Sequence, residues 1–168
     1  FNVPPIVAIN KFSADTAAEV DLVLGKCAGL GVDAVECDHW ALGSAGTREL
    51  AETVVRTADG GEAAFQPLYP DSMPLLEKIR TIAQTLYGAT DIAADDKIRK
   101  QIADLEEDFG HFPVCMAKTQ YSFSSDPALK GAPSGHILSV REVRLSGGAE
   151  FLIAVCGDIM TMPGLPRV

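Results

Sequence analysis

The stretch IVAINKFSADT (residues 6–16) decides how the rest of the chain is read. Its apolar run, IVAI, is bounded in front by Pro4 and Pro5 and behind by Asn10, the pattern of a strand buried on both faces of a parallel sheet. Asp15 or Thr16 can cap a helix that follows. Val20, Val23 or Leu24, Cys27 and Leu30 recur at helical spacing and Gly31 supplies the stop, so that helix is expected to reach about residue 30. The order then repeats. VDAVEC (residues 32–37) reads as a second strand, DHWALGSAG (38–46) as a loop, and residues 47–58 as a helix ended by Gly60 and Gly61. Strand, loop and helix, twice over, predict parallel βαβ construction.

Farther along, Ser72 can cap a helix carrying Leu75, Leu76, Ile79, Ile82, Ala83 and Leu86, closed by Gly88. A further helix carries Ile98, Ile102, Leu105 and Phe109, closed by Gly110. Each has one apolar stripe, so both are expected to lie on a sheet or on each other. The final third changes character: FPVCMAKT (112–119), HILSVREVRL (136–145) and EFLIAVCG (150–157) are β-rich runs broken by Gly, Pro and Ser. It either completes the first sheet or forms a small subdomain. The expected organisation is thus two βα units (1–62), a helical segment (63–112) and a β-rich part (113–168).

Composition bounds the function. With 168 residues, 47% of them hydrophobic, the chain can bury an ordinary core. Fourteen basic against 23 acidic residues give a net charge of −9, which repels a phosphate backbone, so nucleic acid is not expected as a partner. No apolar run reaches the roughly 18 residues of a membrane span and no signal core opens the chain, so the expectation is a soluble, cytoplasmic protein without a membrane partner. Cys27, Cys37, Cys115 and Cys156 are widely spaced within apolar runs and read as reduced core thiols, not zinc ligands. The abrupt opening on an apolar strand and the abrupt end at MTMPGLPRV lead us to expect a piece of a longer chain.

Loops leaving the carboxyl ends of parallel strands share one edge, where ligands bind. The first such loop carries Phe12 and the second Trp40. Two rings on neighbouring loops can sandwich a flat heterocycle; each can equally cover a helix in ordinary packing. Asn10-Lys11 is similar to the element with which GTPases read guanine, but Ser13 stands where that element needs Asp, which removes the bidentate contact. ALGSAGT (41–47) and LSGGAEF (145–151) are Gly-rich, yet nowhere is there a G-x-x-x-x-G-K-[ST] phosphate loop. His39, His111 and His136 are isolated, with no nucleophile or metal-ligand spacing around them. Lys118 and Tyr121 follow an apolar strand and could face a site, although a half-buried lysine stem is the commoner arrangement.

Six stretches together resemble one family. VAINKFSADTAAEV (7–20), HWALGSAG (39–46), LYGATDI (86–92), FPVCMAKTQYSFSSDP (112–127), LSVREVRLSGGAEFLIA (138–154) and GDIMTMPGLP (157–166) are similar, in this order, to the C-terminal third of formate–tetrahydrofolate ligase, over nearly the whole chain. The resemblance implies an α/β fold: the C-terminal part of a P-loop NTPase-like parallel-sheet core with a β-rich C-terminal subdomain. It implies an enzyme of one-carbon metabolism that activates formate with ATP and Mg²⁺ to formyl phosphate. The formyl group then passes to N10 of tetrahydrofolate, leaving ADP and phosphate. It also implies activation by a monovalent cation and a homo-oligomer. In the family a Phe and a Trp stack on the folate pterin, and the matching positions are Phe12 and Trp40. Asn10 and Ser13 flank that folate site, and Ser146, Gly147, Gly148 and Ala149 are candidates for the surroundings of the nucleotide base.

Two departures bear on the site. Ser13 stands where the family usually has Pro, and Gly43-Ser44-Ala45-Gly46 replaces a richer glycine run. No residue here is assigned a catalytic or metal-binding role, because the resemblance places the phosphate loop and the arginine for formyl phosphate in an earlier part of the parent chain. The piece by itself is expected to be inactive. The alternative expectation is a non-catalytic pterin- or protein-binding module that kept this fold.

Overall fold

The computed structural model describes residues 1–157; the residues of GDIMTMPGLP from position 158 on lie outside them. The chain forms two compact units, the first Phe1–Pro67 and the second from Leu68 onward.

In the first unit, strand β1 (Ile6–Asn10) leads to helix α1 (Ala17–Gly29) and strand β2 (Asp33–Cys37). β1 and β2 run parallel in a two-stranded sheet, Ile6 opposite Asp33 and Asn10 opposite Cys37. Thr16, not Asp15, caps α1: the Glu19 amide donates to its hydroxyl, while the Glu19 carboxylate accepts from the Thr16 amide at 2.8 Å. After β2 the chain makes one helical turn, α2 (His39–Leu42), then a 3₁₀ turn (Gly43–Thr47), then helix α3 (Arg48–Asp59). The expected loop is therefore largely helical. β1 differs from the expectation of a strand buried on both faces: its residues are half-buried or exposed. An apolar run records what a strand can bury; among the described residues β2 is its one partner in the sheet.

In the second unit, helix α4 (Leu75–Tyr87), strand β3 (Asp91–Ala93), helix α5 (Asp96–Phe109) and strand β4 (Val114–Ala117) are followed by β5 (Ile137–Ser139), β6 (Glu142–Ser146) and β7 (Phe151–Val155). β3 pairs parallel with β5; β4 pairs parallel with β7, which pairs antiparallel with β6. Pro74, not Ser72, occupies the cap position of α4, and its first amide, Leu75, donates instead to the Glu106 carboxylate of α5 at 2.8 Å. Asp95 caps α5 by accepting from the Ile98 amide.

The apolar stripes of both helices meet the strands in one core that includes Leu75, Ile79, Ile98, Ile102, Leu138 and Leu152. The helical segment and the β-rich segment thus share an interior. Lys78, fully buried, donates to the carbonyls of Gly110 (2.7 Å) and Phe112 (3.0 Å) and so ties α4 to the end of α5. Burial pushes its ammonium below the usual lysine value. Cys37 and Cys156 are buried as expected, whereas Cys115 is exposed and Cys27 only half-buried. Burial pushes the Cys156 thiol up to about 12, which leaves it unreactive.

Candidate functional site

The carboxyl ends of β1 and β2 lie side by side because the register sets Asn10 opposite Cys37. The next residue of the first loop is tied across: the Lys11 amide donates to the Cys37 carbonyl at 3.0 Å. The Lys11 ammonium also bonds the Glu36 carboxylate at 2.7 Å. That hydrogen bond and charge hold the ammonium above its ordinary pKa, so it is protonated at neutral pH. The two loops therefore leave a cross-linked edge.

Each loop then shapes itself around one ring. In the first, the Asp15 carboxylate accepts from the Phe12 amide at 2.8 Å, and the Asp15 amide donates back to the Phe12 carbonyl at 3.0 Å. This closes a turn that lifts Phe12 out of the strand direction. In the second, the Asp38 amide donates to the Gly46 carbonyl (3.2 Å) and the Asp38 carbonyl accepts from the Leu42 amide (2.9 Å). The α2 turn carrying Trp40 is folded back on its own start. Gly46 permits this, since a Cβ there would overlap the Asp38 carbonyl. Gly43, at φ 58° and ψ −138°, ends the turn in a conformation that side chains avoid.

The result is a facing pair. The Phe12 and Trp40 centroids are 6.5 Å apart with their planes at 49°, and both rings are open to solvent at 53% and 75% exposure. A flat ring inserted between two others needs about 7 Å at carbon contact distances of about 3.5 Å. A small opening and a rotation into parallel would therefore admit one. Asn10 is exposed at the end of β1, and Ser13 is exposed in the turn after Phe12. A cavity of about 480 Å³ is lined by Pro4, Asp33, Arg56 and Glu62 at the amino ends of β1 and β2, so it is away from this edge.

The other candidates behave differently. Lys118 is turned inward: its ammonium donates to the carbonyls of Thr119 (3.1 Å) and Ser122 and stands 4.9 Å from the Tyr87 ring centre and 5.5 Å from that of Phe123. Burial pushes its pKa down, and its visible work is to hold the loop after β4. Tyr121 is exposed. His111 packs its ring edge-on to Phe112, and the buried ring nitrogens of His136 have no hydrogen-bond partner among the described residues. Ser146 to Ala149 form the tight connection between β6 and β7, with Gly147, Gly148 and Ala149 exposed. Among the described residues no three His, Cys, Asp or Glu side chains gather as a metal site, and no helix is long and apolar enough to cross a membrane.

Sequence reasoning found both rings but missed the supports: the Lys11–Glu36 pair, the Asp15 bond to Phe12, and the Gly46 approach to Asp38. The Lys11–Glu36 pair, made across the sheet, depends on strand register, which no local pattern displays.

The sequence model of one protein family, formate–tetrahydrofolate ligase, matches residues 1–168. The chain belongs to that family. Among similar proteins, the formate–tetrahydrofolate ligase of Granulibacter bethesdensis is 59% identical, with all of this chain aligned to 30% of the relative. That of Ruegeria sp. is 60% identical over 99% of this chain and 30% of its own length, and that of Beijerinckia indica 57% identical over the same shares. The chain thus spans about 30% of the length of the formate–tetrahydrofolate ligases it matches.

Proposed function

We propose that this chain is the C-terminal third of a formate–tetrahydrofolate ligase and supplies its pterin clamp, with Phe12 and Trp40 stacking on opposite faces of the ring. The observation that carries the reading is the exposed ring pair itself, 6.5 Å between centres, raised from two loops that the sheet edge holds together. A ring stacked on both faces has its plane fixed and its edges free, so N10 of tetrahydrofolate can be presented to an acyl donor. The reaction is ATP-dependent formylation through formyl phosphate, with formate, ATP and tetrahydrofolate as substrates.

The nucleotide, Mg²⁺ and the activating monovalent cation are held mainly by parts of the enzyme outside these residues, in a P-loop NTPase-like core. The chain has no phosphate-loop sequence, so no phosphoryl-transfer step is assigned to its residues. Ser146 to Ala149 stand near the nucleotide base; Asn10 and Ser13 flank the folate. The working enzyme is a cytoplasmic homo-oligomer, and residues 1–168 alone turn over nothing.

The test is tetrahydrofolate affinity, measured by calorimetry on the full-length polypeptide containing these residues. Phe12→Ala and Trp40→Ala should each weaken binding about tenfold or more, since each removes one face of the stack. Wild-type affinity in both variants would remove the clamp from the account of the enzyme.

A further inference from the structure

Three carboxylates stand at the clamp edge, and two are occupied. Asp15 accepts from the Phe12 amide, and Glu36 accepts from Lys11. The third, Asp38, occupies the cap position of α2, where an aspartate ordinarily accepts from an amide of the first turn; it makes no such bond. Among the described residues its carboxylate has no hydrogen bond or ion pair, although it lies close enough to Lys11 for its charge to be felt there. Its backbone, in contrast, is held at both ends, the amide by the Gly46 carbonyl and the carbonyl by the Leu42 amide. Gly46 is what permits this close approach, because a side chain there would collide with the Asp38 carbonyl.

A fixed backbone with an unengaged carboxylate, two residues before one of the stacking rings, is a preorganised acceptor. A pterin needs such a group. Its pyrimidine edge presents two parallel donors, the N3–H and the 2-amino group, whose spacing matches the two oxygens of one carboxylate. Stacking cannot read that edge, because it senses only the face of the ring. Asn10, also unengaged at this edge, is neutral, and strand alternation sets it on the opposite face from Lys11 and Glu36.

We propose that Asp38 is the specificity-determining residue of the clamp, accepting from the N3–H and 2-amino group of the pterin. The assignment deepens the clamp reading and rests on it. The ion-paired Lys11 beside Asp38 keeps the surroundings of the carboxylate from becoming wholly anionic in a chain of net charge −9. Phe12 and Trp40 then choose flat rings, and Asp38 chooses among them the ring with an amidine-like donor edge.

The experiment measures the affinity of the full-length polypeptide for tetrahydrofolate and for its 2-desamino analogue, in wild type, Asp38→Asn and Trp40→Ala. Wild type should prefer tetrahydrofolate by about 10- to 100-fold, the usual span for a charge-assisted bond pair. Asp38→Asn, the same shape without the charge, should lose most of that preference by weakening tetrahydrofolate more than the 2-desamino analogue, which offers the carboxylate only its N3–H. Trp40→Ala should weaken both ligands together and keep the preference. A preference that survives in Asp38→Asn, with Trp40→Ala still weakened, overturns the role of Asp38 and leaves the clamp standing. Unaltered binding in Trp40→Ala overturns the clamp and this assignment with it. A wild type that binds both ligands alike overturns the recognition of the donor edge.

Discussion

The two units of this molecule treat apolar side chains in opposite ways. From Leu68 onward, most residues placed at helical or strand spacing go inside: Leu75, Ala83, Leu138 and Ala154 are fully buried in a shared core, while Leu86 and Ile137 stay exposed. In the first unit Val20, Val35 and Cys37 are buried, while Leu22, Leu30, Leu42, Val54 and Val55 remain exposed beside the two rings. Exposure alone therefore says little about Phe12 and Trp40. What separates them from Leu22 or Leu30 is that two rings from two loops meet, and that each loop spends hydrogen bonds on holding its ring up.

The largest effect should come from attacking the difference in packing. Leu138→Ala removes a side chain at 0% exposure from the second unit and should cost about 3 kcal/mol, read as a lowered denaturation midpoint. The same truncation at Leu30, 79% exposed, should cost less than about 0.5 kcal/mol. Equal losses at the two positions would mean that the contrast between the units is not energetic.

A smaller effect should come from Gly46→Ala, which presses a methyl group into the Asp38 carbonyl and forces the α2 turn to move. Overpacking of this kind costs about 1–3 kcal/mol. Trp40 is the sole tryptophan, so near-ultraviolet circular dichroism reports its turn directly. The signal should change while the core strands of the second unit keep their hydrogen-exchange protection. An unchanged spectrum would show that the glycine is dispensable to the ring pair.

The smallest effect lies where α1 begins, just past the Phe12 turn. Thr16→Ala breaks the reciprocal cap and should cost about 1 kcal/mol. The Thr16 amide and then its hydroxyl hold the Glu19 carboxyl below its ordinary 4.5. A carboxyl lowered in the folded state contributes stability above its unfolded pKa and loses it as pH falls through the folded value. The penalty of Thr16→Ala should accordingly be full near neutrality and shrink below pH 4.5. A penalty that does not vary with pH would mean that the hydroxyl, without Glu19, carries the cap.

Much of this architecture is legible in local patterns. The helical stripe from Leu75 to Leu86 and the glycine after it predict α4 closely, and the parallel β1–β2 pair follows from its strand–helix–strand order. The errors fall where a neighbour in space overruled a neighbour in sequence. Ser72 is a good cap residue, yet the amide it would serve is taken by Glu106 from α5. IVAI reads as doubly buried, but that needs layers packed on both faces of the sheet, and in the structure Ala8 is exposed and Ile6, Val7 and Ile9 are half-buried. β3 is three residues long, too short for any period to show.

The sequence alone settles which residue types stand at this edge and which family the chain resembles: two rings after two strands, a family likeness running through the chain, and no phosphate loop within it. Only the tertiary structure decided how those rings stand. Parallel register brought Lys11 to Glu36 and Cys37, and the Gly46 approach fixed Asp38 with its carboxylate unengaged. The physical reason is range. Propensity, capping and periodicity act over a few neighbours along the chain, whereas a clamp depends on distances between segments that only the pairing of two strands can set.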